Sequence, residues 1–415
     1  MTTLAELCTS IDYGYTASAS DDPAVGPKFL RITDIVPDWI DWSTVPHCEI
    51  EDGKRDKFLL DEGDIVVART GATVGYAKQI WARPEGATFA SYLVRFRPDP
   101  EKVDPHFLGQ IVQSVGYKRW VKSVAGGAAQ PNANAKLLGS FNVPLLSPES
   151  QRQVGQALQG VEARIENNRR RIVILEEMAQ LVYREWFVHF RFPGRENVEM
   201  VDSELGPIPE GWSVEPIGQV VDVVGGGTPS KKVEEYWDDG TIEWFTPSDL
   251  TKQSAMFAFG SADRISELGL RKSSAKLFPK RTVMMTSRAT IGEIAIATTP
   301  ATTNQGFISC VPSERLSEYH LYFWLHANVD YFLMLAGGAT FKELRKSTFR
   351  ELPVAVPHPE VEAAFNRTVG PLCDLVANLL RQNKILRNVR DLLLPRLVTG
   401  ELDVSGLNLE LTKVG

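Results

Sequence analysis

The sequence predicts an α+β protein built from two similar domains in tandem, each followed by a long helix, with the two helices pairing as an antiparallel coiled coil. Three observations lead there. The chain repeats itself once, each half closes on an apolar heptad rhythm, and the rest of each half is a series of short β-like runs punctuated by Gly, Pro and Asp.

Four matches in the same order carry the repeat. ARTGATVGYA at 68–77 corresponds to TSRATIGEIA at 286–295, and AGGA at 125–128 recurs at 336–339. LRITDI, around Asp34, matches WFTPSDL, around Asp249, and FNVP at 141–144 resembles ELPV around Pro353. Each match is weak alone because Gly and Thr are common. Four collinear ones, each about half a chain apart, describe a tandem duplication.

The first domain is expected over residues 1–147, with strand-like runs DIVVA at 64–68 and YLVRF at 92–96 and a short helix around 106–114. The second is expected over 193–357, with TVMMT at 282–286, FISCV at 307–311 and a short helix around 319–328. FPGR at 192–195 and GPIPEGW at 206–212 mark the entry to it.

A central helical spacer is expected over 148–192. Past Pro148, residues 149–186 hold no further Pro. Val154, Leu158, Val161, Ile165, Ile172, Leu175, Ala179, Val182 and Trp186 recur at steps of four and three, with Asn168 in one slot. A C-terminal helical spacer is expected over 358–415, starting at Pro359. There Phe365, Val369, Leu372, Val376, Leu379, Leu386 and Leu393 keep the rhythm, Asn383 and Arg390 interrupt it, and Pro395 is expected to end it. Polar residues in such a seam fix register and partner orientation. A helix over 149–186 would be about 55 Å long at ~1.5 Å per residue.

Composition bounds the function. The 415 residues, 43% hydrophobic and 23% charged, suit two or more folded units. No apolar run approaches the ~18 residues of a membrane span, and the start lacks the basic patch and apolar run of a secretory leader. Cys8, Cys48, Cys310 and Cys373 are scattered with no C-x-x-C pair, which fits a cytoplasmic protein and argues against a zinc cluster or disulfide frame. The net charge of −7 counts against a nucleic-acid binder unless cations cluster locally.

Catalytic motifs are missing. The stretch 225–232 has Gly and Lys but not the G-x-x-x-x-G-K-[ST] spacing of a phosphate loop. There is no H-E-x-x-H, no N/D-P-P-Y/F-type motif of an amino-methyltransferase, and no persuasive D…E-x-K cluster of a nuclease. His189 and His320 read as surface or structural residues.

The ordered series IPEGW (208–212), GGTPS (226–230), YW (236–237), IEWFTPSDL (242–250), SRATIG (287–292) and TNQGF (303–307) resembles the specificity subunit of type I restriction–modification systems. The first domain resembles another version of the same module through GYT (14–16), LRITDI (30–35), GDI (63–65), RTG (69–71) and ASYLVR (90–95). LVTGELDV at 397–404 resembles the family's closing segment, so the resemblance covers nearly the whole chain. The first domain departs from the second in having GYTAS for GGTPS, and Gly71 where the second has Arg288.

The resemblance implies two target-recognition domains, each reading half of a split double-stranded DNA site, held apart by the paired helices. It also implies docking onto two methyltransferase subunits and onto restriction/translocase subunits. The chain itself would be non-catalytic and bind no cofactor, with S-adenosylmethionine, ATP and magnesium on the partners.

A DNA reader needs cations and amides, and the candidates lie on the Gly-rich loops. In the first domain they are Arg69, Thr70, Lys118, Arg119, Lys122, Gln130, Asn132, Asn134 and Lys136. In the second they are Thr228, Ser230, Lys231, Lys232, Ser287, Arg288, Asn304, Gln305, Lys342, Arg345 and Lys346. Two other readings stay open: a coiled-coil adaptor that binds only proteins, and a self-contained DNA-modifying enzyme.

Overall fold

The structure is a computed structural model that describes residues 2–37, 39–81, 83–125, 132–338, 342–398 and 401–402. The chain forms two compact units, Met1–Glu166 with Lys384–Gly415, and Asn167–Asn383. Each long helix therefore gives one part to each unit.

Unit 1 is built on a four-stranded antiparallel sheet in the order Cys8–Tyr13, Leu93–Pro98, Ile65–Ala68, Ala77–Gln79. Side chains alternate across a strand, and here both faces are covered. Ile65, Val67, Val94 and Phe96 pack with the helix Pro105–Gln113 and with Val154, Leu158, Leu394 and Leu397 of the long helices. Val66, Ala68 and Leu93 pack on the other side with Leu30, Ile35 and Phe89. Burial of both faces is why these strands read as unbroken apolar runs.

Unit 2 repeats the plan. Its sheet runs Asp222–Gly225, Phe307–Val311, Val283–Thr286, Ile294–Ala297, with Phe257–Ala258 added in parallel at the edge. Val283, Met285, Ile308 and Cys310 face the helix Glu318–Ala327 and the long helices, while Met284, Ala295 and Phe307 face Phe245, Leu250 and Phe278. The pairings coincide to the residue. Leu30 pairs in parallel with Phe89, and Phe245 pairs in parallel with Thr303. The Arg31 amide donates to Asp34 and the Thr246 amide to Asp249, both at 2.7 Å, so LRITDI and WFTPSDL form the same capped turn.

The long helices run Pro148–Tyr183 and Pro359–Val398. The first passes into a π-turn, Arg184–Val188, that buries Trp186 and Phe187. The polar residues of the seam are each other's partners. In unit 2, Asn168 Nδ2 donates to Asn383 Oδ1 at 2.9 Å, both residues being buried. In unit 1, Arg390 Nη1 donates to Glu162 Oε1 at 2.5 Å. Numbers that rise on one helix and fall on the other make the pairing antiparallel. Pro395 does not end the second helix, which continues to Val398. Pro395 gives up one bond to the carbonyl four residues back, but Leu394 and Leu397 beside it are buried in the unit 1 core and hold the last turn in place.

His320 and His189 part company. His320 Nδ1 lies 2.8 Å from Glu362 Oε2 in the interior of unit 2, a structural pair, while His189 is exposed.

Glu176, on the first long helix, lines a cavity of about 220 Å³ with Met256, Glu293, Tyr322 and His326. Burial pushes Glu176 up to about 7, against a backbone hydrogen bond at Met256, and burial pushes His326 down to about 4, so that a neutral His326 does not offset a charge on Glu176 at neutral pH. The folded state therefore keeps a proton that the unfolded carboxyl releases near its ordinary value of 4.5. The associated stability is complete below that value and is lost as pH rises to about 7. Glu176→Gln is expected to stabilise unit 2 at pH 8 by about 2 kcal/mol, allowing for partial exposure, and to leave it unchanged at pH 4.5. Thermal denaturation at the two pH values checks this; equal shifts at both would refute it.

Candidate nucleic-acid interface

In each unit one sheet strand delivers a loop to the surface, and the backbone stitches that loop to two others. In unit 1, past Ile65–Ala68, the Arg69 amide donates to the Tyr92 carbonyl at 3.1 Å and the Arg69 carbonyl accepts from Ala133 at 2.8 Å. Thr70 then bridges to Asn132. In unit 2, past Val283–Thr286, the Ser287 amide donates to Gly306 at 2.8 Å, the Ser287 carbonyl accepts from Leu344 at 2.9 Å, and Arg288 bridges to Glu343. The counterpart of Arg288 is therefore Thr70 rather than Gly71, since strand register and not the nearest glycine sets the alignment.

A glycine closes each loop. Gly75 has φ +82° and Gly292 φ +102°. A Cβ on Gly75 would lie 2.9 Å from Val121, and one on Gly292 would lie 2.6 Å from Val329. Left-handed backbone and close approach to the next helix both require glycine at these positions.

In unit 1 the Arg69 guanidinium lies over the ring of Tyr13, 5.0 Å from its centroid. Lys118 Nζ is 3.1 Å from the Tyr76 ring centroid, and Arg119 and Lys122 project from the same helix, Val115–Val124. Asn132, Asn134 and Lys136 are exposed, and Asn134 caps the helix Ala135–Gly139 by accepting from the Leu137 amide at 2.8 Å. Gln130 lies outside the described residues.

In unit 2, Thr228 donates to Gln305 Oε1 at 2.6 Å, which joins two loops through their exposed side chains. Lys231 bonds Asp263 at 2.7 Å and lies 3.9 Å from the Trp237 ring centroid, while the Ser230 carbonyl accepts from the Trp237 indole. Arg288 stands 4.0 Å from the Glu343 carboxylate. Ser287 is buried, and its backbone amide and carbonyl are taken by Gly306 and Leu344. Asn304 turns its Oδ1 to the Gly306 amide at 2.9 Å. Lys232, Lys342, Arg345 and Lys346 are exposed and, among the described residues, form no ion pair.

Cations and amides thus gather on one loop platform per unit, despite the acidic total, and this arrangement suits a polyanion with readable edges. Tyr13 is the residue that sequence reasoning missed. A lone tyrosine at the end of a strand belongs to no motif, and only pairing with Val94 brings it beneath Arg69. Among the described residues, no group of three or more His, Cys, Asp or Glu is placed to hold a metal ion. All four cysteines are free, and burial pushes Cys8, Cys310 and Cys373 up to about 12, which keeps them protonated at neutral pH. No helix among the described residues is long and apolar enough to cross a membrane.

Comparison with known proteins gives a consistent answer. Residues 3–177 and 209–365 match the family model of the type I restriction modification DNA specificity domain. Over 206 residues the chain is 36% identical to the type I restriction enzyme MjaIX specificity subunit of Methanocaldococcus jannaschii. That match takes in 49% of this chain and about half, 46%, of the relative. The HindI specificity subunit of Haemophilus influenzae is 23% identical over 420 residues, covering 86% of this chain and 91% of that one. In fold, the chain is similar to the crystal structure of a type I restriction–modification S subunit from M. genitalium. The TM-score is 0.54 at 15% identity, covering 95% of this chain and 94% of that one.

Proposed function

Because the chain belongs to the type I restriction modification DNA specificity family, we infer that it is the DNA-recognition specificity subunit of a type I restriction–modification enzyme. It reads a bipartite site, one half with each unit. The observation that carries this reading is the repeated platform: the same stitched loops occur once per unit with different side chains on them, as two readers of different half-sites require.

Catalysis is assigned to partner subunits. The absent sequence motifs support this, as does an exposed apolar stripe on each long helix. In unit 2, Ile174, Met178 and Leu181 are exposed at steps of four and three. In unit 1, Ile385, Val389 and Leu392 repeat that spacing. Apolar stripes of this kind mark protein interfaces, and two of them suit two methyltransferase subunits, with restriction subunits joining the full assembly. The adaptor reading, in which the chain binds only proteins, accounts for the stripes but not for the cationic platforms.

The test is to assemble the chain with its methyltransferase subunits, map the methylated sites, then exchange residues 1–147 for the equivalent domain of a relative. The expected outcome is a changed first half-site and an unchanged second one. Methylation or cleavage by the isolated chain, or a change in both half-sites, would overturn the proposal.

A further inference from the structure

The two platforms share a backbone and differ in what stands on it. In unit 1 the strand Cys8–Tyr13 ends on Tyr13, opposite Val94. The matching position of unit 2 is Gly225, opposite Ile308. Arg69 likewise matches Ser287, since their amides donate to the corresponding residues Tyr92 and Gly306. Where unit 1 stacks an arginine on an aromatic ring, unit 2 has a buried serine and a glycine. A Cβ on Gly225 would lie 3.2 Å from Lys346 Nζ, so a lysine amino group approaches the place that the tyrosine fills in unit 1.

Arg69 is also unlike its neighbours in charge pairing. Arg31, Arg83, Arg95 and Arg97 each meet an aspartate of their own unit. Arg69 is half-buried, its Nε is shielded from solvent, and among the described residues no acceptor meets it. That Nε forgoes a hydrogen bond that it would make in water. Its support is fixed in turn. Tyr13 Oη accepts from the Ala135 amide at 2.9 Å, next to the Asn134 cap, so ring, arginine and amide-bearing loop form one connected set. A planar fork with a set orientation matches two adjacent acceptors in a plane, such as O6 and N7 on the major-groove edge of guanine.

We propose that Tyr13 is a positioning residue that holds Arg69 to read a guanine in the first half-site, a device the second domain lacks. The proposal rests on the DNA-reading role of the chain and names the base class and the residue that sets it.

The experiment uses the chain assembled with its methyltransferase subunits, and duplexes carrying the mapped site and every single-base substitution of it. Wild type is compared with Tyr13→Phe, Tyr13→Leu and Arg69→Lys. Arg69→Lys and Tyr13→Leu are expected to lose discrimination at the same G·C pair of the first half-site, by roughly tenfold to a hundredfold. Tyr13→Phe keeps the ring and is expected to retain it. Discrimination in the second half-site stays at the wild-type level in all three and reports that the complex is assembled. Weakening by Arg69→Lys that is uniform over all sequences would make Arg69 a phosphate contact and overturn the proposal. So would wild-type discrimination by Tyr13→Leu. Should Tyr13→Leu fail to fold, Arg69→Lys decides alone, and unaltered readout of the first half-site by it rejects the idea. A wild-type complex that prefers no split site would instead reject the DNA-reading role itself, and the proposal with it.

Discussion

Alanine at Gly226 is expected to abolish reading of the second half-site while the first is read as before. A Cβ on Gly226 would fall well inside van der Waals contact of the Asn304 and Thr303 carbonyl oxygens and of Thr303 Oγ1. Two of them are backbone atoms, and the Thr303 side chain is short and buried. Thr303 is held in the parallel pairing with Phe245, and the Asn304 amide donates to the Phe245 carbonyl at 3.0 Å. The loop carrying Thr228, Ser230 and Lys231 must therefore shift, which breaks the Thr228–Gln305 bond. Overpacking of this kind costs roughly 1–3 kcal/mol or more, and the displaced loop carries three of the residues proposed to meet DNA. The internal control is Gly14, where a Cβ would meet the carbonyls of Phe89 and Ala90 in the same way. Gly14→Ala should silence the first half-site instead. Methylation mapping of the two variants checks both. Unaltered second half-site recognition by Gly226→Ala would remove the loop from the interface.

Phe365→Ala is expected to destabilise unit 2 more than any surface change. Phe365 is fully buried on the second long helix, with its ring centroid 4.8 Å from Phe187, 6.0 Å from Trp186, 6.3 Å from Tyr183 and 6.1 Å from the His320 ring. It is where the end of the first helix, the second helix and the helix Glu318–Ala327 meet. Truncating a core phenylalanine costs about 3–5 kcal/mol, because the lost transfer energy is joined by a cavity that aromatic neighbours cannot close. For a unit of this size that lowers the unfolding midpoint by roughly 6–20 °C. Phe365→Leu, which keeps most of the volume, should lose much less. Scanning calorimetry resolves the two, and a shift below ~2 °C for Phe365→Ala would mean that the cluster does not hold unit 2 together.

Much of this was legible in the residues. The tandem repeat, the strands around 64–68, 92–96, 282–286 and 307–311, and the long helices follow from local pattern: short unbroken apolar runs, a period of three and a half, and turn residues at matching places. Apolar periodicity is written into each segment by the face that it must bury, so it survives in one sequence read alone. Asn168 and Asn383 were recognisable as seam residues for the same reason.

What the pattern could not decide depends on groups far apart in the chain. It gave no sign that each helix divides between two compact units, because periodicity marks a buried face and not what covers it. It placed a helix end at Pro395, where packing of Leu394 and Leu397 prevails over a single lost hydrogen bond. It offered Ser287 as a groove contact, but a two-sided ladder buries that side chain. It overlooked Tyr13, whose contact exists only because strand register sets an arginine over it from more than fifty positions away. The sequence alone determined which segments become strands and helices, because those are local choices of backbone and apolar face. Only the tertiary structure decided which charges find a carboxylate and which do not, because that depends on distances between side chains that no local pattern encodes.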